Sequence, residues 1–293
     1  MNLSRYQLII TDLDGTLVQY GSDHLTPAVK DLVKHLREQG IIFSLATGRS
    51  WKQTEGIVRE LGITVPVILQ AGAIVFDPVA EKIIRLVPLR MSVERQLRSL
   101  ADFDEVDQFC LNESGGYFAS TSVIKTGGGR WLHEHSGESC SATGLESNPE
   151  RVVKHLFIGP EAAIKDLSVR IHNEVKPKPN QILWPPDNKT YDWFLEVFDP
   201  SSSKGRALRW LAAALKVRLG RTMAFGDGFN DLDMLERAGA GIATASAPDL
   251  VKTKADLIIP GPEEDGIPRF LNGEISDTPK RSLTWKRVIG KFS

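Results

Sequence analysis

An apolar run, Leu8-Ile9-Ile10, gives way to Asp12-Leu13-Asp14-Gly15-Thr16-Leu17, and this junction constrains the chain more than any other stretch. Residues this apolar read as a buried strand whose end delivers two carboxylates to one place. Alternate residues of an extended segment point the same way, so Asp12 and Asp14 are expected to face a common site. Gly15 permits a sharp exit turn, and Thr16 offers a hydroxyl there. Two carboxylates so close repel each other, and the pair calls for a divalent cation, a shared proton, or both. The plain alternative is an Asp-rich strand-to-loop turn with a capping carboxylate.

The stretches that follow predict a parallel sheet. Thr26-Pro27 supplies a capping hydroxyl and a proline at the first helical position. Val29, Leu32, Val33 and Leu36 then recur at helical spacing, and Gly40 ends the helix. Ile41 to Ala46 reads as a second buried strand, ending in Thr47-Gly48-Arg49. A helix over Trp51 to Leu61 and a short strand at Val67-Ile68-Leu69 continue the alternation. Strand, helix, strand, helix, strand with short links is the rhythm of a doubly wound α/β sheet, whose ligands sit at the carboxyl ends of the strands.

From about Glu81 the rhythm changes to an α+β pattern of two halves. Strands are expected at Ile83 to Val87, Gln108 to Leu111, Tyr117 to Ala119, Val152 to Ile158, Gln181 to Trp184 and Trp193 to Phe198. Helices are expected at Val93 to Ala101 and Pro160 to Ile171. Gly127-Gly128-Gly129 and the polar run Ser136 to Glu150 read as a long surface connection. The first rhythm resumes with a helix after Ser201-Ser202-Ser203-Lys204, then strands at Thr222 to Phe225, Ala240 to Ala243 and Leu257 to Ile259. The expected division is a core of residues 1–81 and 197–293 with an inserted domain at 82–196.

A chain of 293 residues with 41% hydrophobic residues has room for two such domains. Its net charge of -1 gives no reason to expect nucleic acid or a membrane surface as a partner. Cys110 and Cys140 are too few for a disulfide framework. No apolar run approaches the roughly 18 residues of a membrane span, and Met1 to Gln7 lacks the apolar core of a signal peptide. A cytoplasmic protein is expected. The basic stretch Lys280 to Lys291 reads as a solvated tail or terminal helix.

Three polar clusters besides the first motif sit at strand ends or helix starts: Thr47-Gly48-Arg49, Lys204, and Gly226-Asp227-Gly228-Phe229-Asn230-Asp231. Singly, each has an ordinary reading as a turn, a solvated lysine or a capped loop, and the last fails the calcium-loop spacing. Together they supply what attack on a phosphate monoester requires. That is a nucleophile, a proton source for the leaving alcohol, a cation, and donors for the phosphoryl oxygens.

In the same order, these four stretches resemble the motifs of the haloacid-dehalogenase-like (HAD) phosphohydrolases. The resemblance implies a Rossmann-like core with an inserted α+β cap. The gap between Thr47 and Lys204 is similar to that of the type IIB, Cof-like branch. It implies Asp12 as nucleophile, forming a phosphoaspartate, and Asp14 as the acid that protonates the leaving oxygen and later activates water. Thr47, Lys204 and Asn230 are the implied phosphate binders, Thr47 through both hydroxyl and backbone. Asp12, Asp14 (by its main-chain carbonyl), Asp227 and Asp231 are the implied holders of Mg2+, with Asp231 acting on metal-bound water or on the loop. The substrate implied is a small phosphorylated metabolite, most simply a sugar phosphate. A phosphomutase or phosphotransferase on the same core, and a non-catalytic phospho-ligand sensor, are the alternatives. Two positions depart from the branch: Ala71-Gly72-Ala73 stands where it has Asn-Gly-Ala, and Ala245-Ser246-Ala247 where it has Gly-Asn-Ala.

Overall fold

The computed structural model describes residues 3–100, 105–119, 123–135, 140–141, 151–186 and 191–275. The basic stretch Lys280 to Lys291 lies outside them. Two compact units result, one built from Met1–Arg85 and Ser203–Ser293, the other from Leu86–Ser202.

The first segment of the first unit runs β1 (Leu8–Thr11), α1 (Pro27–Glu38), β2 (Ile42–Leu45), α2 (Trp51–Glu60), β3 (Val67–Leu69), β4 (Ile74–Asp77) and β5 (Lys82–Leu86). Thr26 caps α1 by accepting the Val29 N–H, and Val29, Leu32, Val33 and Leu36 form its buried face, as their spacing predicts. The third strand behaves differently from expectation. Instead of extending the parallel sheet as a full member, β3 pairs antiparallel with β4 in a separate sheet of order β3-β4-β5. It pairs with the chain just past β2 through a parallel bridge between Ala46 and Ile68, with the Thr47 N–H donating to the Ile68 carbonyl. Thus the strand read as the first of the inserted domain, β5, belongs to this small sheet.

The second unit contains α3 (Met91–Leu100), β6 (Asp107–Asn112), β7 (Tyr117–Ala119), α4 (Gly127–His135), β8 (Cys140–Ser141), β9 (Val152–Gly159), α5 (Glu161–Glu174), β10 (Asn180–Trp184) and β11 (Trp193–Phe198). Its sheet has the order β10-β11-β9-β6-β7-β8. Side chains alternate across that sheet. Cys110, Phe157, Leu195 and Val197 pack with Val93 and Leu97 of α3 and with Ile164, Leu167 and Ile171 of α5. Phe109, Leu156 and Ile158 meet Leu132 of α4.

The triple glycine, expected as a loop, opens α4. The reason is close packing at the helix start. Asp107 accepts the N–H groups of Lys125 and Thr126 and the Thr126 hydroxyl, while Asp192 accepts the Gly128 N–H at 2.7 Å. A Cβ at Gly129 would stand 2.3 Å from Asp107 Oδ2. Gly129→Ala is therefore expected to displace this capping carboxylate and to cost about 1–3 kcal/mol of stability, read as a lowered urea midpoint. An unchanged midpoint would remove the close-packing explanation.

The chain returns to the first unit with α6 (Lys204–Ala214), β12 (Thr222–Gly226), α7 (Leu232–Arg237), β13 (Ala240–Thr244), α8 (Asp249–Lys254), β14 (Leu257–Ile259) and α9 (Gly266–Leu271). The main sheet is all parallel, in the order β14-β13-β12-β1-β2. Leu8 and Ile10 of β1 and Ala224 of β12 are buried with Leu208 and Leu211 of α6 and Met234 and Leu235 of α7. The fold is thus a parallel α/β core with an inserted α+β unit. Succession runs outward in opposite directions from β1 and from β12, so the switch point of the sheet lies between them. That is where open α/β sheets bind ligands. Among the described residues, no helix is long and apolar enough to cross a membrane.

Candidate active site

Asp12 directly follows β1 and stays tied to the sheet, its N–H donating to the Phe225 carbonyl at 3.0 Å. One carboxylate oxygen accepts the Leu13 N–H at 2.7 Å. The other lies 2.8 Å from Lys204 Nζ. Lys204 is the first residue of α6, whose N-cap Ser203 accepts the Arg206 N–H. A cation in the first turn opposes the helix dipole, and this one is fully buried. Carboxylates hold it there: its Nζ is also 2.7 Å from Asp231 Oδ1. Burial pulls the Lys204 pKa down, and Asp12 and Asp231 more than reverse the pull, so the amine stays charged.

Asp231 closes its own loop as well. Its Oδ2 accepts the N–H groups of Asp227 at 3.1 Å and Gly228 at 2.8 Å. Asp227 in turn accepts the Thr16 hydroxyl at 2.5 Å on one oxygen and the Tyr20 hydroxyl on the other. The first motif and the Gly226–Asp231 loop are thereby joined across 211 residues of sequence. Gly15, at φ +74°, lets this happen. A Cβ there would stand 2.4 Å from the Tyr20 ring and 2.5 Å from Asp227 Oδ2.

Oxygens of Asp12, Asp227 and Asp231 all lie within 4.8 Å of one another. Burial pushes the Asp12 pKa well above the usual carboxylate range, Asp231 adds to this, and Lys204 opposes it. Burial also raises Asp227, to about 6, again with Asp231 adding and with the Thr16 and Tyr20 hydroxyls pulling back. Three crowded, buried carboxylates face one lysine, so negative charge is left over. An all-oxygen donor set with surplus negative charge fits a hard divalent cation. Both oxygens of each of the three carboxylates already accept a hydrogen bond or an ion pair, so a cation would share these oxygens with their present partners.

Asp14 does not join this cluster. Its carboxylate is turned to Arg49, which donates Nε–H to Oδ2 at 2.8 Å and Nη2–H to Oδ1 at 2.6 Å. Strand β1 ends at Thr11, so alternation along a strand does not fix where the Asp12 and Asp14 side chains point. Thr47 is buried at the end of β2. Its N–H is already given to the Ile68 carbonyl at 2.9 Å, so the expected backbone contact to phosphate is not open to it. Its hydroxyl accepts the Arg49 N–H at 3.1 Å and donates to no described residue. Asn230 keeps a buried Oδ1 without a partner, and its amide nitrogen lies 4.0 Å from where a Cβ on Gly48 would be. Its hydrogen bonds do not include Lys204, whose amine is paired with Asp12 and Asp231.

Two further residues of the site lie outside the set expected from sequence. Arg49 belongs to the Thr-Gly-Arg stretch, and a guanidinium beside a carboxylate-rich motif is a usable signal for it. Tyr20 carries none, because only the turn at Gly15 brings it to Asp227.

A family model described as haloacid dehalogenase-like hydrolase matches residues 9–271. The 5-amino-6-(5-phospho-D-ribitylamino)uracil phosphatase YitU of Bacillus subtilis is 26% identical over 286 residues, covering 90% of this chain and 96% of that protein. The pyridoxal phosphate phosphatase YbhA of Escherichia coli is 24% identical over 268 residues, covering 90% and 97%. Among solved structures, a sugar phosphatase of HAD subclass IIB shares the fold with a TM-score of 0.71 at 19% identity, covering 92% of this chain and 98% of its own. From its motifs, its sheet and the family model together, the chain belongs to the haloacid dehalogenase-like hydrolases and is a phosphoric monoester hydrolase.

Proposed function

We propose that this enzyme removes phosphate from a small phosphorylated metabolite, a sugar or polyol phosphate, by way of a phosphoaspartate on Asp12 and with Mg2+ as its cation. One observation carries the reading. At the switch point of the sheet, a fully buried Lys204 sits 2.8 Å from an Asp12 oxygen, with Asp227 and Asp231 alongside. A binding protein has little use for a carboxylate aimed at the position of an anionic ligand, whereas a nucleophile must stand there.

In this reading an Asp12 oxygen bonds to phosphorus as the bond to the leaving oxygen breaks, and Asp14 gives that oxygen its proton. Water then attacks phosphorus, Asp14 takes a proton from it, and the bond to Asp12 breaks to release phosphate. Lys204 and the Thr47 hydroxyl receive charge on the phosphoryl oxygens. Asp12, Asp227 and the Asp14 main-chain carbonyl would hold the cation, with Asp231 fixing the loop. Bound there, Mg2+ offsets the repulsion between carboxylate and phosphate dianion. The sugar or polyol preference is supported by the phosphorylated ribityl chain in the name of one relative and by the sugar phosphatase among the structural neighbours. A cytoplasmic setting fits a metabolite substrate.

Phosphate release from a panel of phosphorylated metabolites, with and without Mg2+, tests the reading. Turnover highest on sugar and polyol phosphates and dependent on Mg2+ is expected. Turnover indifferent to a chelator would sink the metal assignment, and phosphate passed to a second sugar hydroxyl would show a mutase instead.

Asp227 also yields a pH prediction for the metal-free protein. A carboxyl raised from about 3.9 to about 6 stabilises the fold when protonated. That contribution is complete below the unfolded value and is lost as pH rises through 6, a difference of about 3 kcal/mol. Asp227→Asn, which is never charged, should therefore gain stability relative to wild type between pH 4.5 and 7.5 in chelator, read from urea unfolding. The same variant should bind Mg2+ more weakly by calorimetry. A constant stability gap across that pH range would contradict the crowding argument.

A further inference from the structure

Arg49 engages all five of its N–H groups, four of them with the loop that follows β1. Besides the two given to Asp14, Nη2 donates to the Ser22 carbonyl at 3.0 Å, and Nη1 donates to the Asp23 carboxylate and to the Gln53 carbonyl at 3.5 Å. Its side chain is only 14% exposed. The Arg49 backbone is anchored at both ends: its N–H donates to the Thr47 hydroxyl at 3.1 Å, and its carbonyl accepts the Gln70 N–H at 3.1 Å. Among the described residues, the Asp14 carboxylate otherwise accepts only the Gly21 N–H, at 3.3 Å. Two parallel N–H groups fix the plane of a carboxylate as well as its distance, so the place of Asp14 is set almost wholly by this guanidinium.

We propose that Arg49 is the positioning residue for the acid–base group: its fork holds the Asp14 carboxylate where it exchanges a proton with the leaving oxygen and then with water. The inference rests on the phosphatase reading. Arg49 touches neither phosphate nor nucleophile in this role, and a lysine, a point donor without the fork, replaces it poorly. Loss of the fork therefore slows the steps in which Asp14 moves a proton, and spares the attack by Asp12.

An aryl phosphate with a nitrophenolate leaving group separates these steps, because that anion departs without a proton while hydrolysis of the phosphoaspartate still needs a base. Full-length wild type, Arg49→Gln and Arg49→Lys are compared by rapid quench with Mg2+ present, following both nitrophenolate and acid-stable phosphoenzyme. Arg49→Gln is expected to keep a fast first turnover, to accumulate phosphoenzyme, and to lose on the order of 10²-fold in steady-state turnover, with Arg49→Lys in between. An alkyl phosphate, whose leaving group must be protonated, should lose its first turnover too. Loss of first turnover and steady state in equal proportion on the aryl substrate overturns the assignment, as does turnover at or above the wild-type rate. If Arg49→Gln fails to fold, the Arg49→Lys profile decides between the same outcomes. Wild type that releases no phosphate from either substrate overturns the phosphatase reading itself, which the variants then cannot rescue.

Discussion

Asp12→Asn is expected to lower turnover by roughly 10⁶-fold, the scale of removing a catalytic nucleophile, while leaving the protein folded. The amide is nearly the same size, can still accept the Leu13 N–H, and lacks the charge that attacks phosphorus. Stability of the metal-free protein should hold or rise, because Asp12 is crowded by Asp231 and Asp227 and its ionised form is disfavoured by burial. Steady-state phosphate release and urea unfolding, measured on one preparation, check both halves. Activity within tenfold of wild type would refute the nucleophile assignment, and loss of fold would make the kinetic result uninterpretable for this purpose. Labelling by radioactive substrate should also disappear, since no acyl phosphate can form on an amide.

Lys204→Met is the second large effect, and it falls on fold and chemistry together. Methionine fills a similar volume in the fully buried position but leaves Asp12 and Asp231 without their cation. Breaking a buried ion pair by removing one partner costs about 3–5 kcal/mol, because the other charge stays buried and unpaired. That loss should be seen at neutral pH in chelator. It should shrink in mild acid, where the carboxylates take up protons instead. Adding Asp231→Asn should recover part of it, since one of the stranded charges goes. Turnover of Lys204→Met should be undetectable. A destabilisation under about 1 kcal/mol would mean that the lysine is not what holds these carboxylates together.

The two experiments divide the roles cleanly. Asp12 is expected to be replaceable for folding but not for chemistry, whereas Lys204 is expected to serve both. The reason is geometric. Lys204 enters from the first turn of α6, against the helix dipole, and among the described residues the Asp12 and Asp231 oxygens at 2.8 and 2.7 Å offset its burial.

The amino-acid sequence by itself determined the elements whose signals are local. Strands that are apolar along their whole length, the Thr26-Pro27 start of α1 and the placement of Asp12, Thr47, Lys204 and Asp227 at strand ends or helix starts follow from neighbours a few residues away. Tertiary structure decided the rest. It placed β3 in an antiparallel sheet, because three buried apolar residues fit either sheet and the partner strand chooses. It made the triple glycine a helix, because what Gly129 needs is room for Asp107, and no pattern of hydrophobicity reports room. It paired the Asp14 carboxylate with Arg49 and left it out of the cluster of Asp12, Asp227 and Asp231, because side chains alternate only along an extended strand and β1 ends at Thr11. Tyr20 reached Asp227 across 207 residues for the same kind of reason: contacts between distant segments depend on how the backbone turns, and only the folded chain fixes those turns.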